Sequence, residues 1–332
     1  MNHAKENNVL KRFFNHIYIS YIPNSRDNLK QIILKILFIV CLVTLIISAV
    51  YLADYFWEAE HQENIVDYSR DMWHETVSTN ENENVPEVDE HAVDAAKIQY
   101  MLEENSDFKG WITIAGTQVD NPIYQAADND YYLNRNQLKQ KSVYGSLYFD
   151  YRNRITETER DKNLIIYGHE MKNGSMFGTL KKLKRLDFYK QYPTLEFSTL
   201  YEKHTYKIYS IFILNATRED DDGYIYNVYR QNFNTEEDFN YWADEAFERS
   251  IINTGVDVEY DDNILTLITC SNDFPNARLV VMARQLREGE SNAIDTEECT
   301  VNANPRYPKK WYDHRGIKYP FEKKKDSAQT EN

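Results

Sequence analysis

ILTLITCSNDFPNARLVVMAR, residues 264–284, holds two apolar, β-branched runs on either side of a short polar segment. Ile264, Leu265, Leu267 and Ile268 make the first run, and Leu279, Val280, Val281 and Met282 the second. Runs of this length around a turn-like SNDFPN read as strand, loop, strand. Cys270 falls where the first strand ends, and Arg278 opens the second. A loop joining neighbouring strands brings these two ends together, so a thiol and a guanidinium can share one pocket. Upstream, NLIIY at 163–167 reads as another buried strand. It runs into Gly168 and His169, which again sets a reactive side chain at a strand terminus.

These residue types define a chemistry. A thiol becomes a strong nucleophile as the thiolate, a form that a nearby cation favours. Histidine moves protons near neutral pH. Arginine stays charged and can hold a substrate carbonyl or a developing oxyanion. Taken singly, each has a plainer reading: a small buried hydrophobe for the cysteine, a loop residue for the histidine, a surface charge for the arginine.

TLITC followed by Arg278, with YGH about a hundred residues upstream, resembles the active-site signature of the sortases. Further stretches are similar to class B sortases: DFKGWITIAGTQVDNPIYQ from Asp107, DNDYYLNRN from Asp128, YGSLYFDYRN from Tyr144 and NLIIYGHEMKNGSMFGTL from Asn163. The resemblance runs in order over residues 88–287. It implies Cys270 as nucleophile, His169 as acid/base and Arg278 as the carbonyl or oxyanion partner. It also implies an eight-stranded β-barrel with an N-terminal helix and a long helix before the cysteine strand. Ser271 follows Cys270 where the class B pattern often carries an acidic residue. Thr269 and Ser271 are candidates to assist the oxyanion by adjacency alone.

The 332 residues suffice for one domain of ordinary size plus appendages. A net charge of −15 argues against nonspecific nucleic-acid binding. Tyrosine is abundant at 26 while glycine and proline are scarce, which suits a β-rich domain and excludes low-complexity classes. The three cysteines, Cys41, Cys270 and Cys299, form no disulfide framework. A Cys270–Cys299 bridge would block the nucleophile.

Along the chain, residues 1–31 form a polar, mildly basic lead, expected to be cytoplasmic. Residues 32–53 are apolar except near their start, and 36–53 carry no charge. That length, the 30-residue lead and the acidic residues that follow read as an uncleaved transmembrane signal anchor. Residues 54–87 are polar and end in the acidic STNENENVPEVDE, which reads as an extracellular linker. From residue 88 to 104 the apolar spacing becomes helical. A hairpin is expected around Ala115-Gly116-Thr117, strands at 143–149, 194–197 and 204–214, and a short helix at 176–186 with Phe177, Leu180 and Leu183 on one face. REDDDG at 218–223 does not match a calcium loop and reads as a solvated acidic turn. Residues 235–252 make an amphipathic helix with Phe239, Trp242, Ala243, Ala246 and Phe247 on one face, capped by Asn234 or Thr235. Residues 288–332 depart from the class B pattern. Their composition reads as disordered, although Tyr307, Trp311, Tyr312, Tyr319 and Phe321 leave room for docking.

The resemblance implies a cysteine transpeptidase of the thiol-protease type, needing no metal or organic cofactor. Its partners would be secreted proteins with a C-terminal sorting signal, a peptidoglycan precursor amine, and the membrane. Three rivals stand beside wall anchoring: a pilin-polymerising sortase, a thiol hydrolase, and a non-catalytic surface-binding barrel.

Overall fold

The two apolar runs flanking Cys270 and Arg278 are adjacent antiparallel strands, β8 (Ile264–Cys270) and β9 (Ala277–Gln285). They belong to a closed barrel in a computed structural model that describes residues 20–74, 94–217 and 226–321. The other barrel strands are β1 (Phe108–Thr113), β2 (Asp120–Tyr124), β3 (Leu147–Phe149), β4 (Asn163–Tyr167), β5 (Thr194–Thr199) and β6 (Lys203–Asn215). Around the barrel the order is β1-β2-β3-β4-β8-β9-β6-β5, with β5 pairing back onto β1. The eight strands implied by the resemblance are all present. Two neighbouring pairs are parallel, β2–β3 and β4–β8. A parallel pair needs a long crossover, and the one between β4 and β8 carries β5, β6 and the domain's longer helix. The acidic turn expected at 218–223 lies outside the described residues.

The chain divides into two units, Met1–Glu63 and Asn64–Asn332. Helix α1 (Leu29–His74) begins with a reciprocal cap: Gln31 N donates to Asn28 Oδ1 and Asn28 N to Gln31 Oε1, both at 2.9 Å. It is long and apolar enough to cross a membrane. The helix continues to His74, so residues 54–74, expected as linker, are helical. Within the second unit, Trp73 stacks on Trp111 with centroids 4.9 Å apart, Arg70 Nε donates to Asp120 O at 2.7 Å, and Gln137 Nε2 to Ser69 Oγ at 2.6 Å. These aromatic and polar groups give the helix end a barrel to pack on, which composition alone did not reveal.

Helix α2 (Ala95–Glu104) is capped by Asp94, which accepts from Ala96 N, and buries Ile98 and Met101. The helix expected at 176–186 is instead a 3-10 turn (Leu180–Lys184) running into α3 (Leu186–Gln191), but Phe177, Leu180 and Leu183 are buried. Only Leu147–Phe149 of the expected 143–149 strand is ladder; Gly145, at φ +59°, turns the chain just before it. Helix α4 (Glu236–Arg249) has Thr235 as its cap, accepting from Asp238 N at 3.2 Å. It buries Phe239, Trp242, Ala243 and Ala246 against Ile165, Phe212, Ile264, Ile268, Val280 and Met282 of the sheet. Each large apolar side chain so buried stabilises the fold by about 1.5–3 kcal/mol.

From 288 to 321 the tail corrects the disorder reading, and residues 322–332 lie outside the described residues. After β9, strand β10 (Thr300–Val301) pairs with β7 (Ile252–Asn253), Cys299 and Tyr312 are buried, and α5 (Lys309–His314) follows. Cys270 and Cys299 are both free thiols.

Candidate active site

In the β8–β9 ladder Cys270 lies directly opposite Arg278. The next bond outward is Ser271 N to Ala277 O at 3.0 Å, so Cys270 and Arg278 form a non-hydrogen-bonded pair. In such pairs the Cα atoms approach to about 4.5 Å and the two side chains project close together from one face. Strand alternation puts them on the face of Ile268 and Val280, the face covered by α4 and the segment leading to it. Cys270 is exposed at the strand end and Arg278 half-buried.

His169 arrives from the neighbouring strand. β4 and β8 run parallel with Tyr167 paired to Ile268, and Gly168 N donates to Ile268 O at 3.2 Å. Two residues on from that register, His169 stands at the level of Cys270. Its Nε2 lies 2.8 Å from Leu133 O. A carbonyl only accepts, so Nε2 carries the hydrogen, and in the neutral ring Nδ1 holds the lone pair that can take a proton. Gly168 admits no side chain: a Cβ there would lie 2.4 Å from Leu147 Cδ2 and 2.8 Å from Phe177 Cδ2.

Arg278 donates to Ala277 O at 3.1 Å and makes no ion pair among the described residues. Its charge is nonetheless felt nearby. Burial pushes the Tyr148 hydroxyl up, with the charges of Asp130, Asp150 and Cys270 adding to it and Arg278 opposing. Burial likewise pushes Tyr229 up, again against Arg278. Tyr148 and Tyr229 therefore lie within electrostatic reach of Arg278, and the Leu133 carbonyl orients His169; sequence reasoning singled out none of them. The stretches YGSLYFDYRN, which holds Tyr148, and DNDYYLNRN, which holds Leu133, pointed in that direction.

The two oxyanion candidates chosen by adjacency do not flank the thiol. Thr269 is buried on the opposite pleat face, and its hydroxyl has no hydrogen-bond partner among the described residues. Ser271 donates instead to Asp273 Oδ2 at 2.5 Å. Among the described residues no group of His, Cys, Asp or Glu is arranged to hold a metal ion.

A closed eight-stranded barrel with a cysteine and an arginine paired at the ends of β8 and β9, and a histidine at the end of β4, has the makings of a thiol acyl-transfer site. The Sortase domain family model matches residues 112–286. Sortase B of Listeria monocytogenes is 32% identical over 231 residues, covering 69% of this chain and 86% of that protein. Sortase B of Staphylococcus aureus is 30% identical over 185 residues, covering 55% of this chain and 72% of that one. The crystal structure of sortase B from B. anthracis superimposes with a TM-score of 0.57 at 28% identity, covering 70% of this chain and 99% of that one. The chain belongs to the sortase family, and within it to class B.

Proposed function

We propose that this sortase is a membrane-anchored transpeptidase that joins secreted proteins to a peptidoglycan amine. The observation that carries the reading is the pairing of Cys270 and Arg278 as close neighbours on one face, with His169 on the adjoining strand. The Cys270 thiolate attacks the carbonyl of a Thr in a C-terminal sorting signal. A sulfur–carbon bond forms, and the carbonyl electrons move onto oxygen, where Arg278 stabilises them. The carbon–nitrogen bond then breaks as His169 gives the leaving amine a proton. The thioacyl enzyme is attacked by an amine on a peptidoglycan precursor, His169 taking its proton, and the thiolate departs.

Residues 32–53 serve as the anchor in this reading, with residues 1–31 cytoplasmic and the barrel outside, as the basic lead and acidic flank favour. Residues 88–287 are the catalytic domain and 288–332 its extension. Tethering enzyme, substrate and lipid-linked precursor to one membrane raises their effective concentration.

The test is mass spectrometry of the protein mixed with a panel of sorting-signal peptides, with and without candidate amines. An adduct on Cys270 that an amine resolves into a new peptide bond is the expected result. An adduct resolved only by water would favour a hydrolase. A Cys270 that forms no adduct but still reacts with a small thiol reagent would overturn the substrate assignment.

A further inference from the structure

Past β9 the chain is strapped along the barrel from one end of the β8–β9 pair to the other. At the Ile264–Arg284 end, Glu290 accepts from Arg284 Nη1 and Nη2 at 2.6 and 2.7 Å and from Lys207 Nζ at 2.7 Å. Farther on, β10 pairs with β7, Asn302 N donates to Ile251 O, and Arg306 N to Glu248 O. The strap finishes at the Cys270–Arg278 end. There Arg315 lies over the Trp311 ring at 3.9 Å, and Trp311 stacks on Tyr307 with centroids 4.2 Å apart. Arg315 Nη1 donates to Asp273 O at 3.4 Å, and Nη2 lies 3.9 Å from Asp273 Oδ1. The matched Sortase domain ends at residue 286, so this contact reaches the cysteine loop from outside it.

Asp273 is the junction of the loop that joins Cys270 to Arg278. It accepts from Ser271 Oγ and, at 2.8 Å, from Lys184 Nζ. Burial disfavours its charge, yet the Lys184 and Ser271 donors hold the carboxyl below its usual range. The loop's other ties are Asn272 to Glu170, Asn276 to Thr217 and the buried Phe274. The last ladder bond, Ser271 N to Ala277 O, lies just beyond the Cys270–Arg278 pair. At this end β9 stays paired with β6 through Leu214–Arg278 and Asn215–Ala277, whereas beyond Ile268 strand β8 is paired with β9 alone, so a loosened loop lets the cysteine end of β8 part from Arg278. A guanidinium can stack on an indole while its edge donates to Asp273, which an ammonium cannot do as well.

We propose that Arg315 is a positioning residue: stacked on Trp311 and bound to Asp273, it fixes the 271–277 loop and thereby the spacing of Cys270 and Arg278. This rests on the reading of those two residues as the reacting pair.

The experiment uses the full-length chain in detergent micelles, and no sorting substrate. Hydrogen–deuterium exchange is followed by mass spectrometry in wild type, Arg315→Ala, Asp273→Asn and the double variant. Arg315→Ala should speed exchange of the 271–277 amides roughly two- to fivefold, with amides 300–302 unchanged. Asp273→Asn, which removes the carboxylate from Lys184 as well as from Arg315, should also speed it, and the double variant should fall short of the sum of the two. In the same experiment, Arg315→Lys should recover only part of the lost protection, because an ammonium cannot stack on the indole and donate to Asp273 as a guanidinium does. Unchanged loop exchange, faster exchange throughout residues 288–321, additive single effects or full protection in Arg315→Lys would each overturn the proposal. A chain that meets these expectations yet reacts with no sorting peptide would count against the transpeptidase reading alone.

Discussion

Replacing Arg278 with alanine should separate catalysis from stability. The guanidinium makes one hydrogen bond, to the carbonyl of the residue before it, and no ion pair among the described residues. Its removal strands no opposite charge, so stability should change by no more than about 0.5 kcal/mol. For a domain of this size that is a Tm shift of about 1–2 °C. If Arg278 meets the developing oxyanion, losing it removes a preorganised donor, a loss of about 10²–10³-fold in kcat or about 2.7–4 kcal/mol. Lysine keeps the charge but not the planar fork, so Arg278→Lys should recover roughly tenfold of that. The assay is the rate of thioacyl formation on Cys270, by intact mass, with whichever sorting peptide the wild type accepts. A drop in kcat of less than about fivefold would refute the assignment of Arg278 to the oxyanion. A Tm loss above about 5 °C would refute the claim that the residue is structurally idle.

Gly168→Ala should push Leu147 and Phe177 apart, cost about 1–3 kcal/mol by overpacking, and lower thioacyl formation because His169 is the next residue; urea unfolding and the peptide assay together check this, and unchanged stability would sink it. Trp73→Ala should remove the stack on Trp111 and lower stability by about 2–3 kcal/mol, a Tm loss near 4–10 °C in calorimetry. A negligible shift would mean the end of α1 does not dock as described. Glu290 is held well below its ordinary value by the Arg284 donors first, against a smaller cost of burial, with Lys207 also lowering it. A depressed carboxylate stabilises fully above its unfolded value of about 4.5 and loses that contribution as pH falls through the lower folded value. Glu290→Gln should therefore be less stable than wild type at pH 7, with the gap closing as the pH is taken below about 4 in urea titrations. A gap independent of pH would assign its role to packing.

What the sequence disclosed and what it hid divide along one physical line. β8, β9 and β4 were legible as continuous apolar runs and α4 as an apolar face at helical spacing, and both signals are local. Cys270, Arg278 and His169 could be drawn together because each sits at the end of such a run. The pleat face was legible in principle too: alternation from Ile268 already separates Cys270 from Thr269, and attention to it would have withdrawn Thr269 as an oxyanion candidate. Tyr148 and Tyr229 were hidden because which tyrosines, among 26, come within electrostatic reach of Arg278 depends on how elements distant in sequence are brought together. The extension was misread for the same reason in stronger form. It has no apolar stripe, and its composition matches that of disordered chains. It is held by single specific contacts over long separations: Glu290 with Lys207, Arg306 with Glu248, Arg315 with Asp273. Each is worth little alone at a surface, but together with the buried Cys299 and Tyr312 they follow one path and end on the loop that carries Cys270. With Cys270 and Arg278 as the proposed reacting pair, a segment outside the matched domain that ends on their loop can alter the chemistry without changing a residue that touches substrate. For this sortase, differences in activity from its class B relatives should therefore be sought in residues 288–321 as well as in the barrel.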